Sequence, residues 1–413
     1  MLMNKRKWFQ KFWDENVAEF DDAVRRFDAS FELEESTLRK LFDMPEDDAL
    51  ILARVVVLNQ LYSAGLTDYE MSKEEAQQYE MDGVMKPVSV HRMADHIIEN
   101  KERLRKLIEE AEPTEAVKSL MEVSYDNDGR RTYRSVFSFA TKYCSWCKPD
   151  KYPIIDEYVK EFLYRWCKDV AIGKMISWRD FDICEDTMEE LQQNQTYKNF
   201  ISLVEGFQRE NGLADAGKKE VDKFIWISGK DWFSYWDTVK RIIFINEYAV
   251  EYYHQQLIAR KDKFQHVFDE WGLSDEIIEQ NKIGLTDADD YDSHVQLSLY
   301  LQEKGISFRD LEVSGLVKED ADDAGMYADV FYGRIIFPIF AKTGEPVSMV
   351  GRSYLSKKER DGAVWLWLPN TPVFSQKDKN RCIRILHDMW DPCQTVQETI
   401  KQFLSLNDGN QNS

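Results

Sequence analysis

No apolar run in this sequence approaches the length needed to cross a bilayer, and its first residues, MLMNKRKWFQKFW, lack the hydrophobic core of a signal peptide. Cysteine is scarce, and its scattered spacing predicts reduced thiols rather than a disulfide framework. The six cysteines lie at positions 144, 147, 167, 184, 382 and 393. The six histidines show no ligand spacing, and no glycine-rich phosphate loop is present. We therefore expect a cytoplasmic protein with no membrane segment, no metal site and no cofactor.

The chain has fewer basic than acidic residues, 54 lysines and arginines against 75 aspartates and glutamates, which gives a net charge of −21. A chain this acidic is a poor candidate for indiscriminate coating of nucleic acid. The excess acid concentrates in the first hundred residues and in positions 251–330, whereas positions 101–180 and 331–400 are near neutral or slightly basic. This distribution is compatible with a localised positive groove, and an acidic body also suits docking onto a basic partner.

The first half of the chain has the patterns of a helical domain. Ala49–Tyr62 is apolar almost all round, which predicts a buried helix. Thr132–Trp146 carries an apolar stripe at helical spacing and predicts a second packed helix. Pro149 and Pro153 end that helix, and Asp156 is placed to cap the next one.

The segment KYPIIDEYVKEFL, Lys151–Leu163, resembles the FPILDGNVKRVL segment of helix-hairpin-helix DNA glycosylases of the adenine-glycosylase kind. The resemblance implies that Asp156 is the catalytic aspartate and that Lys142 is the lysine of the lyase members. Such enzymes flip a base out of the duplex before acting on it. The family's glycine-rich hairpin is replaced here by SYDNDGRRTYRS, and Lys142 lies several residues closer to Asp156 than in the lyase pattern. The alternative is that Asp156 is only a helix cap.

The most informative stretch is Tyr332–Arg352, YGRIIFPIFAKTGEPVSMVGR. Apolar residues alternate along it, and Lys342-Thr343-Gly344 supplies a turn, so it predicts a β-hairpin. Arg334 and Arg352 then stand at the open ends. If the strands pair, we expect the two guanidinium groups to lie close together, in a geometry suited to phosphates. The alternative is an ordinary amphipathic hairpin with two solvated arginines.

The hairpin and four further segments resemble landmarks of bacterial DnaG-type primases, in the family's order. The resemblance implies a primase-core-like fold in which Arg334 contributes most to DNA binding, with smaller contributions from Arg352, Lys377 and Lys379. The matching segments are Asn246–Ala259, Trp271–Leu285, Ser314–Val317, Arg334–Arg352 and Leu368–Lys379.

Two parts of such primases have no counterpart in the sequence. The zinc ribbon would need two cysteine pairs, and the Toprim domain would supply an Asp-x-Asp pair after Lys379. Nucleotidyl transfer without metal-holding carboxylates would lose its main source of transition-state stabilisation. The lysine that opens the family's KYLN segment is replaced by Val364, which removes one basic contact of the template groove.

The sequence predicts an α+β protein: a mainly α-helical, glycosylase-like domain at 1–230, a linker at 231–245, a small mixed α/β primase-core-like domain at 246–394, and a C-terminal helix and tail at 395–413. In the linker region, the aromatic residues of SGKDWFSYWDT are interpreted either as a stacking platform for bases or as a hydrophobic clasp.

The predicted function is binding of single-stranded or junction DNA within a bacterial nucleic-acid-processing assembly, by a chain that is not a primase on its own. The assembly would serve replication, a mobile element or anti-phage defence, with a Toprim- or helicase-bearing protein as partner. Two alternatives stay open: a base-excision glycosylase acting through Asp156, and an interaction scaffold or primase decoy without DNA contact.

Overall fold

The computed structural model describes residues 5–62, 64–82, 84–125, 129–130, 132–170, 195–289, 295–319, 327–341, 343–359, 362–388, 397–398, 400–401 and 404–405. Lys342 of the predicted turn, Cys184, Cys393 and most of the predicted C-terminal helix and tail at 395–413 lie outside these residues. The chain divides into two compact units: an N-terminal unit, Arg6–Phe233, and a C-terminal unit, Ser234–Ser413 together with Met1–Lys5.

The described part of the first 217 residues is mainly helical, with a 3-10 turn at Glu122–Ser124, a π-helical turn at Trp166–Val170, and isolated β-bridges between Thr67 and Ser89 and between Lys86 and Tyr133. The helices are α1 (Lys5–Glu15), α2 (Phe20–Asp43), α3 (Asp48–Tyr62), α4 (Lys73–Met81), α5 (Val90–Glu99), α6 (Lys101–Glu110), α7 (Pro113–Met121), α8 (Phe137–Cys147), α9 (Glu157–Arg165) and α10 (Gln195–Glu210).

Two of these helices follow directly from sequence patterns. The predicted buried helix is α3, whose Ile51, Val55 and Leu58 are fully buried. The predicted cap is confirmed as well: Asp156 has extended backbone, and its Oδ1 accepts a 2.9 Å hydrogen bond from the amide of Val159 in the first turn of α9. The cap satisfies one of the amide groups that a helix leaves unpaired at its start.

The segment predicted as a linker is helical, because it lies inside the 42-residue helix α11 (Lys218–Ala259). Gly229 lies inside this helix, about three turns from its start. A Cβ atom at Gly229 would stand 2.5 Å from the backbone oxygen of Tyr158, so this glycine permits close approach of another backbone rather than a chain reversal. Trp232 is 1% exposed and lies 4.9 Å from the ring of Phe9, which makes it part of the core and not a surface for bases.

The C-terminal unit combines helices with two antiparallel ladders, which gives the molecule an α+β fold. Its helices after α11 are α12 (Lys261–Trp271), α13 (Asp275–Gln280), α14 (Gln296–Glu303), α15 (Phe308–Ser314) and α16 (Gln376–Asp388). The strands are β1 (Gly284–Thr286), β2 (Val317–Glu319), β3 (Tyr327–Asp329), β4 (Arg334–Phe340), β5 (Pro346–Ser353) and β6 (Trp365–Trp367). One sheet has the order β1-β4-β5-β6, and β2 pairs with β3.

The predicted hairpin is confirmed as β4 and β5, which pair antiparallel from Arg334 with Ser353 to Phe340 with Pro346. Gly344 adopts a φ of 88° in the connection, a conformation that favours glycine. Ile336 of β4 and Met349 of β5 are buried in one apolar core with Tyr253 of α11. The opposite face of β4 is buried as well, because Ile335 and Phe337 are fully buried, so both sides of this strand lie in the protein interior.

Candidate nucleic-acid interface and buried charged cluster

Arg334 is a buried arginine that binds backbone carbonyls. Its side chain donates hydrogen bonds from Nη1 to the oxygens of Gly351, at 3.1 Å, and Val364, at 3.0 Å, and from Nη2 to the oxygen of Ala363, at 3.0 Å. The residue is 4% exposed. The guanidinium group therefore ties the start of β4 to β5 and to the chain that enters β6. The DNA contact predicted for Arg334 stays a prediction. Because the arginine side chain is buried, little of its surface is available to DNA.

The expectation that Arg334 and Arg352 lie side by side is wrong. Arg334 pairs with Ser353, whereas Arg352 pairs with Ile335. Side chains of paired residues share a face of the sheet, and successive residues alternate between faces. The two arginines consequently point to opposite faces, and they cannot form one phosphate fork.

Arg352 contacts aromatic rings. Its guanidinium carbon lies 4.1 Å from the ring centroid of Trp271, at the end of α12, and 5.6 Å from that of Trp365 in β6. Trp271 is only 4% exposed, whereas Arg352 and Trp365 are half-buried. A guanidinium group over an indole face is attracted by the negative face of the ring and stays fully charged. Arg352 is thus held in place by packing while its side chain still reaches the surface.

The two predicted lysines lie on α16. Its start is capped by Ser375, whose amide donates to Oδ2 of Asp378 at 2.9 Å, while the amide of Asp378 donates to Oγ of Ser375 at 3.3 Å. Lys377 is exposed and Lys379 is half-buried. The cap explains the SQKD sequence after Phe374, and it fixes both lysines in the first turn of a helix.

The structure brings Lys142 and Asp156 into electrostatic contact inside the N-terminal unit. Lys142 is 3% exposed, and its Nζ donates to the backbone oxygen of Tyr62 at 3.1 Å. Burial lowers the pKa of Lys142, an effect that the charge of Asp156 opposes. Burial likewise raises the pKa of Asp156, and Lys142 and the cap hydrogen bond from Val159 oppose that rise. Each group is therefore the principal nearby charge acting on the other.

Further ionisable residues surround this pair, and sequence reasoning missed them. Asp222 of α11 is buried; its Oδ2 accepts a hydrogen bond from the amide of Ile154 at 3.2 Å, and burial raises its pKa to about 8. Lys219, one turn earlier, lies 3.4 Å from Oε1 of Glu35, which also accepts a 2.6 Å hydrogen bond from the hydroxyl of Tyr62. One sequence pattern could have indicated these residues: Lys219 and Asp222 lie three residues apart, and therefore on one face, in a helix rich in apolar residues.

The buried charged cluster, which we define as Glu35, Lys142, Asp156, Lys219 and Asp222, is costly to maintain. Buried ionisable groups lose hydration, and sites with strongly shifted pKa values are often functional. Asp222 also fixes the chain that leads to Asp156, because it binds the amide of Ile154. The cluster thus holds three carboxylic acids and two amines in one region, and Lys142 with Asp156 is one of its pairs of opposite charge.

Comparison with known proteins shows that part of the second half is similar to the DNA primase catalytic core. Residues 252–380 match the N-terminal domain of the DNA primase catalytic core. In this primase-core region, a DNA primase of Listeria monocytogenes is 29% identical over 108 residues, which are 26% of this chain and 16% of the primase. A different family, HI_0787_N, described only as an N-terminal domain, matches residues 14–151. An uncharacterized protein of Haemophilus influenzae is 30% identical over 145 residues, 35% of this chain and 59% of that protein. The chain therefore spans less than two thirds of either relative.

Two solved primase structures are similar to part of the chain. One is the RNA polymerase domain of Mycobacterium tuberculosis DnaG in complex with a double-stranded DNA oligomer with a 6-nucleotide overhang: it is 24% identical, has a TM-score of 0.28, and the match covers 33% of this chain and 40% of that one. Another is a DNA primase domain from Pseudomonas aeruginosa, 27% identical with a TM-score of 0.26, covering 32% of this chain and 39% of that one.

The primase-core region contributes no metal site among the residues that the structure describes, since no group of three or more histidine, cysteine, aspartate or glutamate side chains there could hold an ion. Within the same residues, no helix is long and apolar enough to span a membrane. Cys144, Cys147, Cys167 and Cys382 are free thiols.

Proposed function

We propose that the protein is a DNA-binding, primase-related subunit of a bacterial nucleic-acid-processing assembly and that it does not act as a primase on its own. The observation that carries the proposal is the match of residues 252–380 to the primase catalytic core, combined with an ordered arginine at the end of its central hairpin. The proposal includes a cytoplasmic location and a role in replication, a mobile element or anti-phage defence. It also includes a partner protein that bears a Toprim or helicase domain.

Arg352, Lys377 and Lys379 supply the positive charge for this role. Between positions 346 and 383 the sequence has seven basic and three acidic residues, in a chain with a net charge of −21. Local positive charge attracts the phosphate backbone, while the acidic remainder opposes binding elsewhere on the molecule. The expected ligand is single-stranded or junction DNA, bound mainly through phosphates.

The test is binding of the full chain to single-stranded DNA over a range of salt concentrations. Replacing Arg352, Lys377 and Lys379 with alanine should weaken binding across all sequences and flatten the dependence of log affinity on log salt by about two to three units. Lys318→Ala is the matched control, because Lys318 is an exposed lysine of β2 in the same unit. Wild-type binding that the triple variant leaves unchanged would move DNA recognition to the N-terminal unit. Absence of wild-type binding at low salt would favour the scaffold or decoy.

A second candidate function is a DNA glycosylase or lyase, and the pairing of Lys142 with Asp156 favours it. A buried amine with a lowered pKa is more often neutral, and a neutral amine can attack the aldehyde of an abasic site with loss of water to form a Schiff base. A neighbouring carboxylate can stabilise a positively charged sugar during base release. Both groups are largely buried, so DNA would have to open a path to them.

Borohydride reduction tests the second candidate directly, because it traps a Schiff base as a stable covalent bond. With abasic single-stranded and duplex DNA, the wild-type chain should form an adduct that Lys142→Ala abolishes. Asp156→Asn should stop base release and keep the helix cap, since asparagine caps as well as aspartate does. If neither an adduct nor base release is detected, Asp156 acts only as a cap.

A further inference from the structure

A cavity of about 860 Å³ lies in the C-terminal unit, beside the connection between β4 and β5. Its walls come from the end of α12, from α13 and the residues after it, from the hairpin connection, and from helical residues between 397 and 405. Sites for small ligands have volumes of roughly 300–1,000 Å³. The residues from 397 onwards lie beyond the primase match at 252–380, so this cavity is not built by the matched domain alone.

The C-terminal residues close one side of the cavity by packing. Ile400 is 2% exposed and Leu404 is 9% exposed, and residues four apart share a helical face. Nε2 of Gln397 donates a 3.0 Å hydrogen bond to the backbone oxygen of Glu270 in α12. Lys401 follows Ile400, is itself exposed, and lines the cavity. The packing of its neighbours therefore holds a basic side chain at the cavity.

Lys282 supplies a second basic side chain, from a backbone conformation that lysine rarely adopts. Its φ is 49°, in the left-handed region, and every other described residue with positive φ is a glycine. Its amide donates to the oxygen of Glu279 at 3.3 Å, and the amide of Ile283 donates to that of Ile278 at 3.0 Å. This is the Schellman pattern of a helix end, where glycine is the usual residue. The turn therefore does not require the lysine side chain, and such outliers are frequent at functional sites.

The charge of the lining selects an anion. Among the described residues that line the cavity, the charged side chains are Lys282 and Lys401, and none is a carboxylate, in a chain with a net charge of −21. Outside the lining, Oε2 of Glu279 lies 3.6 Å from Nζ of Lys282, but these side chains are 58% and 43% exposed. Ion pairs at such exposure contribute little to stability. A phosphate group, which lysine binds as a point charge, can therefore take the place of this carboxylate.

The other walls suit a flat organic ring with polar edges. Ile277 and Phe340 are half-buried and supply apolar surface, while Gln280 and Asn281 supply side-chain amides. An amide side chain carries both donors and an acceptor, as the edge of a nucleobase does. An inorganic anion would use only the lysines, and an aliphatic anion would leave the amides without partners. A nucleoside phosphate complements all three parts of the lining.

We propose that this cavity binds a free nucleotide. Lys282 and Lys401 bind its phosphates, the amides of Gln280 and Asn281 bind the edge of its base, and the apolar walls pack against its ring. The proposal goes beyond DNA binding, because the ligand is a small molecule and no strand has to reach the cavity. The bound nucleotide also connects α13 to the C-terminal residues, because the two lysines belong to these two segments.

Calorimetric titration of the full chain with ATP, GTP, CTP and UTP in turn, without metal ions, tests the proposal. We expect saturable binding of at least one of them. The matching nucleoside, which lacks phosphates, and tripolyphosphate, which lacks the base, should each bind more weakly by about tenfold or more, because each leaves one part of the lining unused.

Variants of the two lysines assign the binding to this cavity. Lys282→Gly should weaken binding by roughly tenfold to 150-fold, the range for one charged hydrogen bond. Its melting temperature should stay equal or rise, because glycine adopts the left-handed conformation without strain. Lys282→Arg should keep most of the affinity, and Lys401→Ala should lose as much as Lys282→Gly. Lys318→Ala, at an exposed lysine of β2 in the same unit, should change nothing.

Four outcomes would contradict the proposal. Nucleotide binding that Lys282→Gly and Lys401→Ala leave unchanged would place the ligand elsewhere on the protein. Equal affinity for tripolyphosphate would reduce the cavity to an anion site without recognition of a base. Displacement of the nucleotide by oligo-dT would make the cavity part of a strand-binding surface. Absence of binding by all four nucleotides would overturn the proposal and leave the DNA-binding function standing, because that function is measured separately with single-stranded DNA.

Discussion

At the scale of single residues, the two arginines of the hairpin show what a sequence pattern can and cannot assign. Both match positions of the same motif, yet Arg334 is buried against carbonyl groups and Arg352 lies against indole rings. Positions 334 and 352 lie on different strands, so alternation alone does not show whether their side chains share a face. The register of the two strands must also be known. The sequence shows the hairpin, but the register depends on the bulge between Ile339 and Phe340 near the turn.

Gly351 is the residue from which the different environments of Arg334 and Arg352 could have been predicted. A Cβ atom at Gly351 would lie 2.8 Å from Cδ of Arg334 and 2.8 Å from the ring of Phe331. A glycine beside an arginine in a strand interior often marks a close approach, and here it makes room for the arginine side chain. The GR pair at the end of β5 therefore indicates a buried arginine across the ladder.

We expect Arg334→Ala to lower the free energy of unfolding by about 3 kcal/mol, because three buried carbonyl groups lose a charged donor. Arg352→Ala should cost about 1 kcal/mol, the scale of a cation–π contact at a partly exposed site, and should instead weaken DNA binding. Urea denaturation and binding to single-stranded DNA, measured on both variants, separate the two roles. A stable Arg334→Ala protein that no longer binds DNA would restore Arg334 as the main phosphate contact.

At the scale of elements, helix α3, the cap of α9 and the hairpin could be predicted because each depends on local patterns: all-round apolar residues, a cap residue, and alternation with a turn. Helix α11 could not be predicted in full. Its central SGKDWFSYWDT segment has residues typical of a break, and only packing of Trp232 against Phe9 and Phe12 shows why the helix continues. Tertiary contacts here override local propensity.

Gly229 gives a test of that explanation. Alanine has the higher helix propensity, by about 1 kcal/mol, so an isolated helix would be stabilised by Gly229→Ala. In this fold the new Cβ atom would stand 2.5 Å from the backbone oxygen of Tyr158 and 2.8 Å from its carbonyl carbon, which must force the backbones apart. We expect a net loss of about 2 kcal/mol, by analogy with overpacked cores. Thermal unfolding monitored by circular dichroism measures it.

Gly217→Ala serves as the control for this prediction. Its Cβ atom would meet only the carboxylate of Glu220, at 3.4 Å, an ordinary contact with a flexible side chain. The melting temperature should therefore change little. If Gly229→Ala proves as stable as Gly217→Ala, the close approach of α11 to Tyr158 is not a constraint on the fold.

At the scale of the whole molecule, acid-base equilibria of the buried charged cluster should appear in the stability of the protein. The pKa of Asp222 is raised to about 8 by burial, from about 4 in an unfolded chain. The native state thus binds this proton more tightly than the unfolded state, so the contribution of Asp222 to stability falls as pH rises from about 4 to about 8. Burial raises the pKa of Asp156 as well, with an effect of the same sign.

Asp222→Asn should remove this part of the pH dependence. The amide oxygen can still accept the hydrogen bond from Ile154, and the side chain stays neutral at every pH. We expect the variant to match the wild type near pH 4 and to exceed its free energy of unfolding at pH 8, as measured by urea titrations across that range. Parallel pH profiles of the two proteins would show that Asp222 is ionised in the folded state, held by the charge of Lys219.

The two halves of the chain differ in how much of their function can be predicted from the sequence. The sequence predicted an α+β fold and a primase-core region, because that resemblance rests on several segments in register, and the match of residues 252–380 confirms it. The role of the helical half could not be predicted to the same depth, because its buried charged cluster is assembled from four elements that lie far apart in the sequence: α2, α8, the start of α9 and α11. Motif reading detected two of its members, Lys142 and Asp156, and no spacing in the sequence links them to Glu35.

The purified chain should therefore bind a single-stranded template without extending a primer on it, in magnesium or in manganese. Primer synthesis needs carboxylates that hold metal ions at the reacting phosphates, and no Asp-x-Asp pair follows Lys379 in this sequence. Incorporation of labelled ribonucleotides on a template, with and without a separately supplied Toprim-bearing protein, measures this. We expect no product from the chain alone, whereas products that appear with the second protein should decrease when Arg352 is replaced by alanine. Template-dependent primers made by the chain alone would mean that its metal-binding carboxylates lie outside the primase pattern.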